Sequence, residues 1–524
     1  MFWMFLLGFS PILWLLIALI IFKLPGHLAS LGSFVITCLL SIIVWKIPIL
    51  NAITAVGEGI ALAVWPIIAV IIAAIFTYNI CVESKAMDTI KEMFLQVTND
   101  KRLIVLIIGW CFGGFMEGMA GFGTAIAIPA SMLVALGFNP ILASLVCLIS
   151  NGTPTPFGSI GIPTTTVANI TALNVNTLSL FSVLELTPFI ILSPFIMVFM
   201  TGKVLKKDAS IREIFDGISL ITLVAALSFY VPELIVGKFI GPDLTVVFGS
   251  VISMGLVIFM SKKMAPKSIP DAFTWKPEKS SSNNKSYSLD FKSLIKAWSP
   301  FIFIFFLLIG TSKVIPPINI LVKTVQTSIP IYTGPNAKPY VFSWLASPPF
   351  WIFLSAFVGG YIQGLNLGQM FGVLKKTLFE LRFAMLTMIA ILATAKLMGY
   401  SGMVASIASL LISITGSFYP FISPIIGALG TFVTGSGTSS GVLFGKLQSD
   451  TALALHYNQS WMVASNSAGV SAGKMISPQS IAIATATTGT AGQESEIFKT
   501  IIKWAGLYLV VYGILNYIIM MLVH

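Results

Sequence analysis

Charge is what this chain has least of. Of its 524 residues only 9% are Asp, Glu, Lys or Arg, while 56% are hydrophobic and the mean hydropathy is +0.95. A soluble domain carries about 25% charged residues, so the deficit excludes a water-soluble globule, a disordered chain and a nucleic-acid binder. Cysteine and histidine are scarce too. Cys38, Cys81, Cys111 and Cys147 lie in apolar stretches without metal-ligand spacing and read as small core residues. His27, His456 and His524 fall in a loop, at an expected helix end and at the last position. Zinc chemistry and a Ser/His/Asp hydrolase therefore lack support: the reading is not an enzyme, with no metal site and no catalytic residues. There is no GKT or GKS phosphate loop either, so no cofactor is implied.

What the chain does have is apolar length. A spanning helix needs about 20 apolar residues, and such runs fall near 2–22, 28–45, 60–81, 178–202, 214–236, 239–260, 298–318, 344–368, 383–398 (a short one) and 500–523. The first lacks the positive n-region of a cleaved signal peptide and reads as a retained helix. Two further regions, 103–172 and 418–487, are apolar but repeatedly interrupted by Gly, Ser, Thr, Asn and Pro. Irregular backbone at membrane depth is tolerated only where protein or a water-filled cavity satisfies it. These two regions are therefore expected to be the working parts.

They are also copies of one another. Gly113, Gly121, Gly123, Thr124, Asn151, Gly158 and Pro163 recur as Gly427, Gly435, Gly437, Thr438, Asn466, Gly473 and Pro478, at a spacing of 314 to 315 residues. Each Gly-x-Gly-Thr is expected to be the tip of a re-entrant hairpin, near 103–138 and 418–455. Each Asn motif is expected to be an unwound point in a crossing helix, 140–172 and 458–487. Amphipathic surface segments are expected at 84–99 and 401–415. The expected fold class is an all-α polytopic membrane protein of about 12 transmembrane helices plus two hairpins. Residues 1–213 form the first repeat and 298–524 the second, inverted repeat. Two additional helices occupy 214–260, and 261–297, with Ser280–Ser282, is read as a flexible cytoplasmic linker.

Five crossings per half plus two extra helices place the second half in the opposite sense. With both termini outside, most of the 30 basic residues fall in cytoplasmic loops. Lys46, Lys238, Lys313, Lys323 and Lys338 are left outside, and Lys396, Lys446 and Lys474 in the membrane. That is the positive-inside bias, and it accounts for the net charge of +11 without an acidic partner. Inverted repeats with discontinuous helices are the mark of secondary transporters.

A helix that starts at mid-membrane offers free N–H groups and a partial positive end to an anion. Gly121, Gly123, Thr124, Asn151 and Thr153 in the first region line up with Gly435, Ser436, Thr438, Ser439, Ser440, Asn466 and Ser467 in the second. They supply flexible turns, N-cap hydroxyls and amides suited to a small carboxylate that bears a hydroxyl. Tight helix packing uses the same small residues. Intramembrane ionisable groups are functional candidates by default. Glu117, alone in an uncharged run, is the candidate proton carrier, and Lys474 would attract the carboxylate or pair with Glu117. Lys446 and Asp450 read as a local i,i+4 pair, Glu185 and Lys396 as weaker candidates, and Glu58 as a solvated helix-end residue. A channel and a membrane-embedded enzyme are the alternatives from other classes; His456 has no evident partner for the latter.

At these two regions the chain resembles the L-lactate permease family of bacterial 2-hydroxy-monocarboxylate transporters. The resemblance is carried by Phe112-Gly113, Met116 to Gly123, Leu133 to Phe138 and Asn151 to Pro163 in the first half. In the second it is carried by Thr434 to Ser436, Thr438 to Ser440, Leu447-Gln448, Asn466 and the run Gly473 to Ala484, with Gly241-Pro242 and Ala297 to Pro300 agreeing between. It implies import of L-lactate, D-lactate or glycolate with a proton through the plasma membrane. At superfamily level it implies an elevator-type movement and a homodimer. Gly437 stands where the family commonly has Asp, so that Glu117 carries the proton alone or the coupling ion differs, sodium being the other candidate. Thr124 stands where a small apolar residue is common.

Overall fold

The computed structural model describes residues 2–22, 24–121, 123–264, 269–275, 290–311, 315–335, 337, 339–490 and 493–522. Lys23, Phe122, Lys313, Lys338 and Ser280–Ser282 lie outside them. Nearly all of what is described is helical, which lets each segment satisfy its own backbone in a bilayer.

The first half runs α1 (Phe2–Ile20), α2 (Gly26–Ile43), α3 (Ile49–Leu62) and, past a kink at Trp65, α4 (Ala69–Glu83), then the surface helix α5 (Ala86–Leu95). The short α6 (Lys101–Ile104) continues through π-helical turns into α7 (Gly113–Met119), which turns back into α8 (Thr124–Ala135). There follow α9 (Pro140–Gly152), α10 (Gly158–Thr171), α11 (Val175–Leu205), the small α12 (Ile211–Phe215) and the pair α13 (Ser219–Phe239) and α14 (Thr245–Met264). The second half runs α15 (Phe291–Thr311), a short α16 (Pro316–Thr324), strands β1 (Gln326–Ile329) and β2 (Tyr340–Ser343), α17 (Pro349–Gln363) and α18 (Leu367–Ser401). The surface helix α19 (Met403–Thr415) precedes α20 (Tyr419–Thr434), α21 (Gly437–Ala454), α22 (Gln459–Ile476), α23 (Pro478–Thr488) and α24 (Glu494–Leu522). Asparagines start the main helices of both broken regions. Asn139, Asn174 and Asn458 accept N–H bonds in the first turns of α9, α11 and α22.

Among the described residues nine helices are long and apolar enough to cross a membrane, and the chain is a multi-pass membrane protein. The packing is reciprocal. In the broken regions α10 lies on α21 while α23 lies on α8, and α9 lies on α22. Outside them α1 packs on α19 while α15 packs on α5, and α2 packs on α18 while α17 packs on α4.

Four expectations are corrected. The second crossing does not unwind at Asn466: α22 runs unbroken from Gln459 to Ile476, and the chain breaks at Ser477 instead. The glycines near Asn466 serve close packing. A Cβ at Gly469 would sit 1.8 Å from the Pro424 carbonyl oxygen, and one at Gly473 would sit 2.2 Å from that of Ala428, so these residues let α20 and α22 touch. The short run at 383–398 is the core of the 35-residue α18. Its first half carries Lys375, Lys376, Glu380 and Arg382, good helix formers that a hydropathy window discards, and Asn366 and Gln369 close a capping box at its start. Between α16 and α17 the fold departs from all-α, because β1 and β2 pair antiparallel as a hairpin. Finally, the 261–297 segment is not free throughout. Phe273 is fully buried under the Arg102 guanidinium, and Trp275 donates to the Leu136 carbonyl at 2.8 Å. Arg102 itself is locked to Asp100 at 2.6 Å, with both side chains fully buried.

Candidate functional site

The two interhelical tips are built by glycines in the left-handed region, Gly121 and Gly123 (φ +61° and +88°) and Gly435 (φ +66°). Only glycine takes these angles freely, and neither tip has room for a side chain. A Cβ at Gly121 would meet Ser159 Oγ at 2.2 Å, and one at Gly435 would meet Gln479 Oε1 at 2.0 Å. Each tip therefore rests on the broken helix of its own region, where that helix restarts. In the first, Ser159, Ile160 and Gly161 all have positive φ and regular helix resumes at Pro163. In the second, Ser477 caps α23, accepting from the Ser480 N–H at 3.1 Å.

These pieces surround a cavity of about 680 Å³. Three helix starts meet there: α10 through Gly158 and Pro163, α21 through Gly437, Thr438 and Ser439, and α23 through Pro478 and Gln479. Ser436 caps α21 by accepting from the Ser439 N–H at 3.2 Å, while the first N–H groups of a helix, here those of the lining residues Gly437 and Thr438, have no intrahelical acceptor. Lys474, on the last turn of α22, donates from Nζ to the Gly435 carbonyl at 2.7 Å. Opposite it Glu117 is buried against Gly158, whose Cβ would come within 2.5 Å of Oε1. Its Oε2 has no hydrogen-bond partner among the described residues. Glu117 and Lys474 are electrostatic neighbours rather than a direct ion pair. The far wall comes from other helices, with His27 beside Gly26 of α2 and Phe383, Thr387 and Met388 of α18.

Of the residues singled out from the sequence, the cavity brings together Glu117, Gly435, Ser436, Thr438, Ser439 and Lys474. The others sit behind the lining. Thr124 Oγ1 closes its own turn on the Gly121 carbonyl at 2.7 Å, and Gly123 faces Ile483. Ser440 and Ser467 hydroxyls are taken by the carbonyls of Gly427 and Val463. Asn466 accepts from Gln448 Nε2 at 3.3 Å in a core network with Tyr419. Asn151 and Thr153 are buried just before the break, and the Asn151 amide and the Thr153 hydroxyl have no partners among the described residues. Lys446 and Asp450 do form the i,i+4 pair, at 2.7 Å. Glu58 corrects its expectation: it is buried and paired with Lys396 at 2.7 Å.

Polar lining residues that the sequence analysis did not single out as binding candidates are Thr155, Ser159, Thr434, Gln479, His27 and Thr387. Ser159 and Gln479 stand inside the repeated motifs, so the repeat itself pointed to them. His27 and Thr387 come from distant helices and carry no local signal.

Comparison with known proteins places the chain in a family. The profile of a family described as L-lactate permease matches residues 4–523. An L-lactate permease of Streptococcus iniae is 42% identical over 460 residues, 88% of this chain and 93% of that protein. Glycolate permease GlcA of Escherichia coli strain K12 is 34% identical over 540 residues, 98% of this chain and 94% of that protein. Among solved structures, the YdaH transporter of Alcanivorax borkumensis aligns over 93% of this chain and 97% of its own, with 13% identity and a TM-score of 0.49.

Proposed function

The chain belongs to the L-lactate permease family, and from that premise we propose that it carries small 2-hydroxy-monocarboxylates (L-lactate, D-lactate or glycolate) across the plasma membrane together with a proton. The observation that carries this reading is the meeting of three helix starts and one lysine at a single cavity. Helix starts stabilise an anion, and Lys474 supplies the full positive charge. The hydroxyls of Thr438 and Ser439 reach the same space and suit the substrate's polar groups. Glu117, without a partner on one oxygen, is the proton carrier beside the anion.

The reciprocal packing supports two inverted repeats, with the hairpins α7–α8 and α20–α21 re-entrant. The twelve crossings then consist of α1, α2, α3–α4, α9–α10, α11, α13, α14, α15, α17, α18, α22–α23 and α24. Two bodies line the cavity, the hairpin-bearing body and the wall of α2 and α18, and an elevator-type slide of one on the other gives alternate access. A homodimer is the assembly the resemblance implies.

A sodium-coupled version has one observation in its favour. Asn151 Oδ1 and Thr153 Oγ1 are buried oxygens without partners among the described residues, and oxygen is what a hard cation takes. Uptake of labelled lactate and glycolate into proteoliposomes separates the readings. A pH gradient, acid on the uptake side, is expected to drive accumulation without sodium. Accumulation that needs a sodium gradient and ignores pH replaces the proton by sodium, and no uptake of either acid overturns the substrate assignment.

A further inference from the structure

A second cavity, of about 560 Å³, backs onto the first. The two share a thin wall, the restart of α10: Gly158, Ser159 and Pro163 face the first cavity, while Ile160 and Ile162 face the second. Helix α18 lines both. Phe383, Thr387 and Met388 border the first cavity, and Lys396 and Tyr400 the second. At 1.5 Å per residue the step from Met388 to Lys396 is about 12 Å along a membrane-crossing axis. The first cavity reaches Leu24 and the start of α2, the second the surface hairpin at Tyr340–Ser343, so they lie toward opposite faces.

The second cavity has its own charged pair. Lys396 Nζ and Tyr400 Oη both donate to Glu58 Oε1, at 2.7 and 2.9 Å. The side chains of Lys396 and Glu58 are only 17% and 6% exposed, and Glu58 Oε2 has no partner among the described residues. An ammonium has three donors, and one is used here on Glu58. What remains is a cationic donor beside a carboxylate acceptor, the complement of a ligand with a carboxylate and an adjacent hydroxyl; the other carboxylate on the lining, Asp243, accepts from the Thr165 hydroxyl at 3.5 Å.

We propose that this cavity is a second binding site for a 2-hydroxy-monocarboxylate, the first stop on the face opposite the central cavity. The substrate carboxylate sits on Lys396, and a small turn of the Glu58 side chain, whose Oε2 is covered here, brings that oxygen to the 2-hydroxyl. Monocarboxylates without the hydroxyl lose the second contact. This site rests on the transport reading above and adds to it a named pair, on helices α3 and α18, outside the central cavity.

The test uses the full chain in sealed proteoliposomes, first confirmed to take up lactate or glycolate. Asn169→Cys, lining the second cavity, and His27→Cys, lining the first, are labelled with a membrane-impermeant anionic thiol reagent. The two are expected to react from opposite faces. L-lactate is expected to slow Asn169→Cys labelling about tenfold more than propionate does. Lys396→Met is expected to raise the KM for uptake from the second-cavity face about tenfold and that from the other face far less. A liposome in which the unsubstituted chain moves neither acid defeats the transport reading itself. If it transports, then same-face labelling, no lactate protection, or equal KM changes from both faces each overturn the second site and leave that reading standing. Should Lys396→Met not fold, the labelling measurements decide alone.

Discussion

Glu117 and Lys474 are the residues on which the proposed coupling rests, and the sequence marked both because charge is so scarce around them. What it did not show is how they are held. Lys474 spends one donor on the Gly435 carbonyl, so it braces the second tip as well as offering charge to a substrate. Glu117 lies against the start of α10, where only a glycine, Gly158, leaves space for its carboxyl. In the proposed symport this carboxyl sheds its proton when the anion leaves and regains it when the anion binds. Glu117→Gln keeps the shape and a hydrogen-bonding group while removing the proton site. It is expected to abolish pH-driven accumulation and to spare lactate–lactate exchange, measured as counterflow in the same liposomes. Unchanged driven uptake removes Glu117 from the mechanism. Lys474→Met is expected to lower both fluxes, since it removes the anion's charge partner and loosens the tip. Exchange that survives at full rate takes Lys474 out of the binding site.

At the scale of the element, the repeat of Gly, Asn and Pro showed that two crossings are broken but misplaced one break. Asn151 and Asn466 align in sequence, yet the first is followed by unwound chain and the second lies in the middle of α22. Local sequence did not separate the two because glycine loosens a helix in isolation and permits close contact in a bundle. In α22 the second effect wins: Gly469 and Gly473 stand against carbonyls of α20. The equivalent feature of both regions is the restart, at Pro163 and Pro478, each placed where a missing N–H costs nothing in a first turn. Gly473→Ala is therefore expected to destabilise the protein by about 1–3 kcal/mol through forced separation of α20 and α22, read as a lower melting temperature in detergent. If α22 were unwound there, alanine would be neutral or stabilising. Ser477→Ala, which removes the cap of α23, is expected to cost about 1 kcal/mol and to weaken lactate binding, because α23 starts at the cavity wall. The β-hairpin and the long α18 escaped the sequence reading for another reason. Tyr340 and Trp65 secure the hairpin through a contact 275 residues apart, Tyr340 Oη to the Trp65 carbonyl at 2.6 Å, and hydropathy windows see neither such pairings nor charged helical turns.

For the whole molecule, charge asymmetry and reciprocal packing bear on one question, which way the chain sits. The basic segments 82–102 and 203–213 lie at the same end as the start of α18, with Lys375, Lys376 and Arg382, and the docked Phe273–Trp275 segment, where Arg102 joins them. Leu24 and the start of α2, at the mouth of the central cavity, belong to the same end. The β-hairpin and the Glu58–Lys396 pair gather around the other end of α18. We propose from the positive-inside bias that the first end is cytoplasmic, with both termini and the hairpin outside and a central cavity that opens inward. Epitope tags at both termini and after Pro335, in the turn between the two strands, are expected to be accessible in intact cells, and a tag near Lys279 only after permeabilisation. Lactate added outside is then expected to meet the second cavity first, and the strap at Ser159–Gly161 has to move before it reaches Lys474. A terminal tag found inside reverses the assignment of the faces, and with it which cavity an imported substrate meets first.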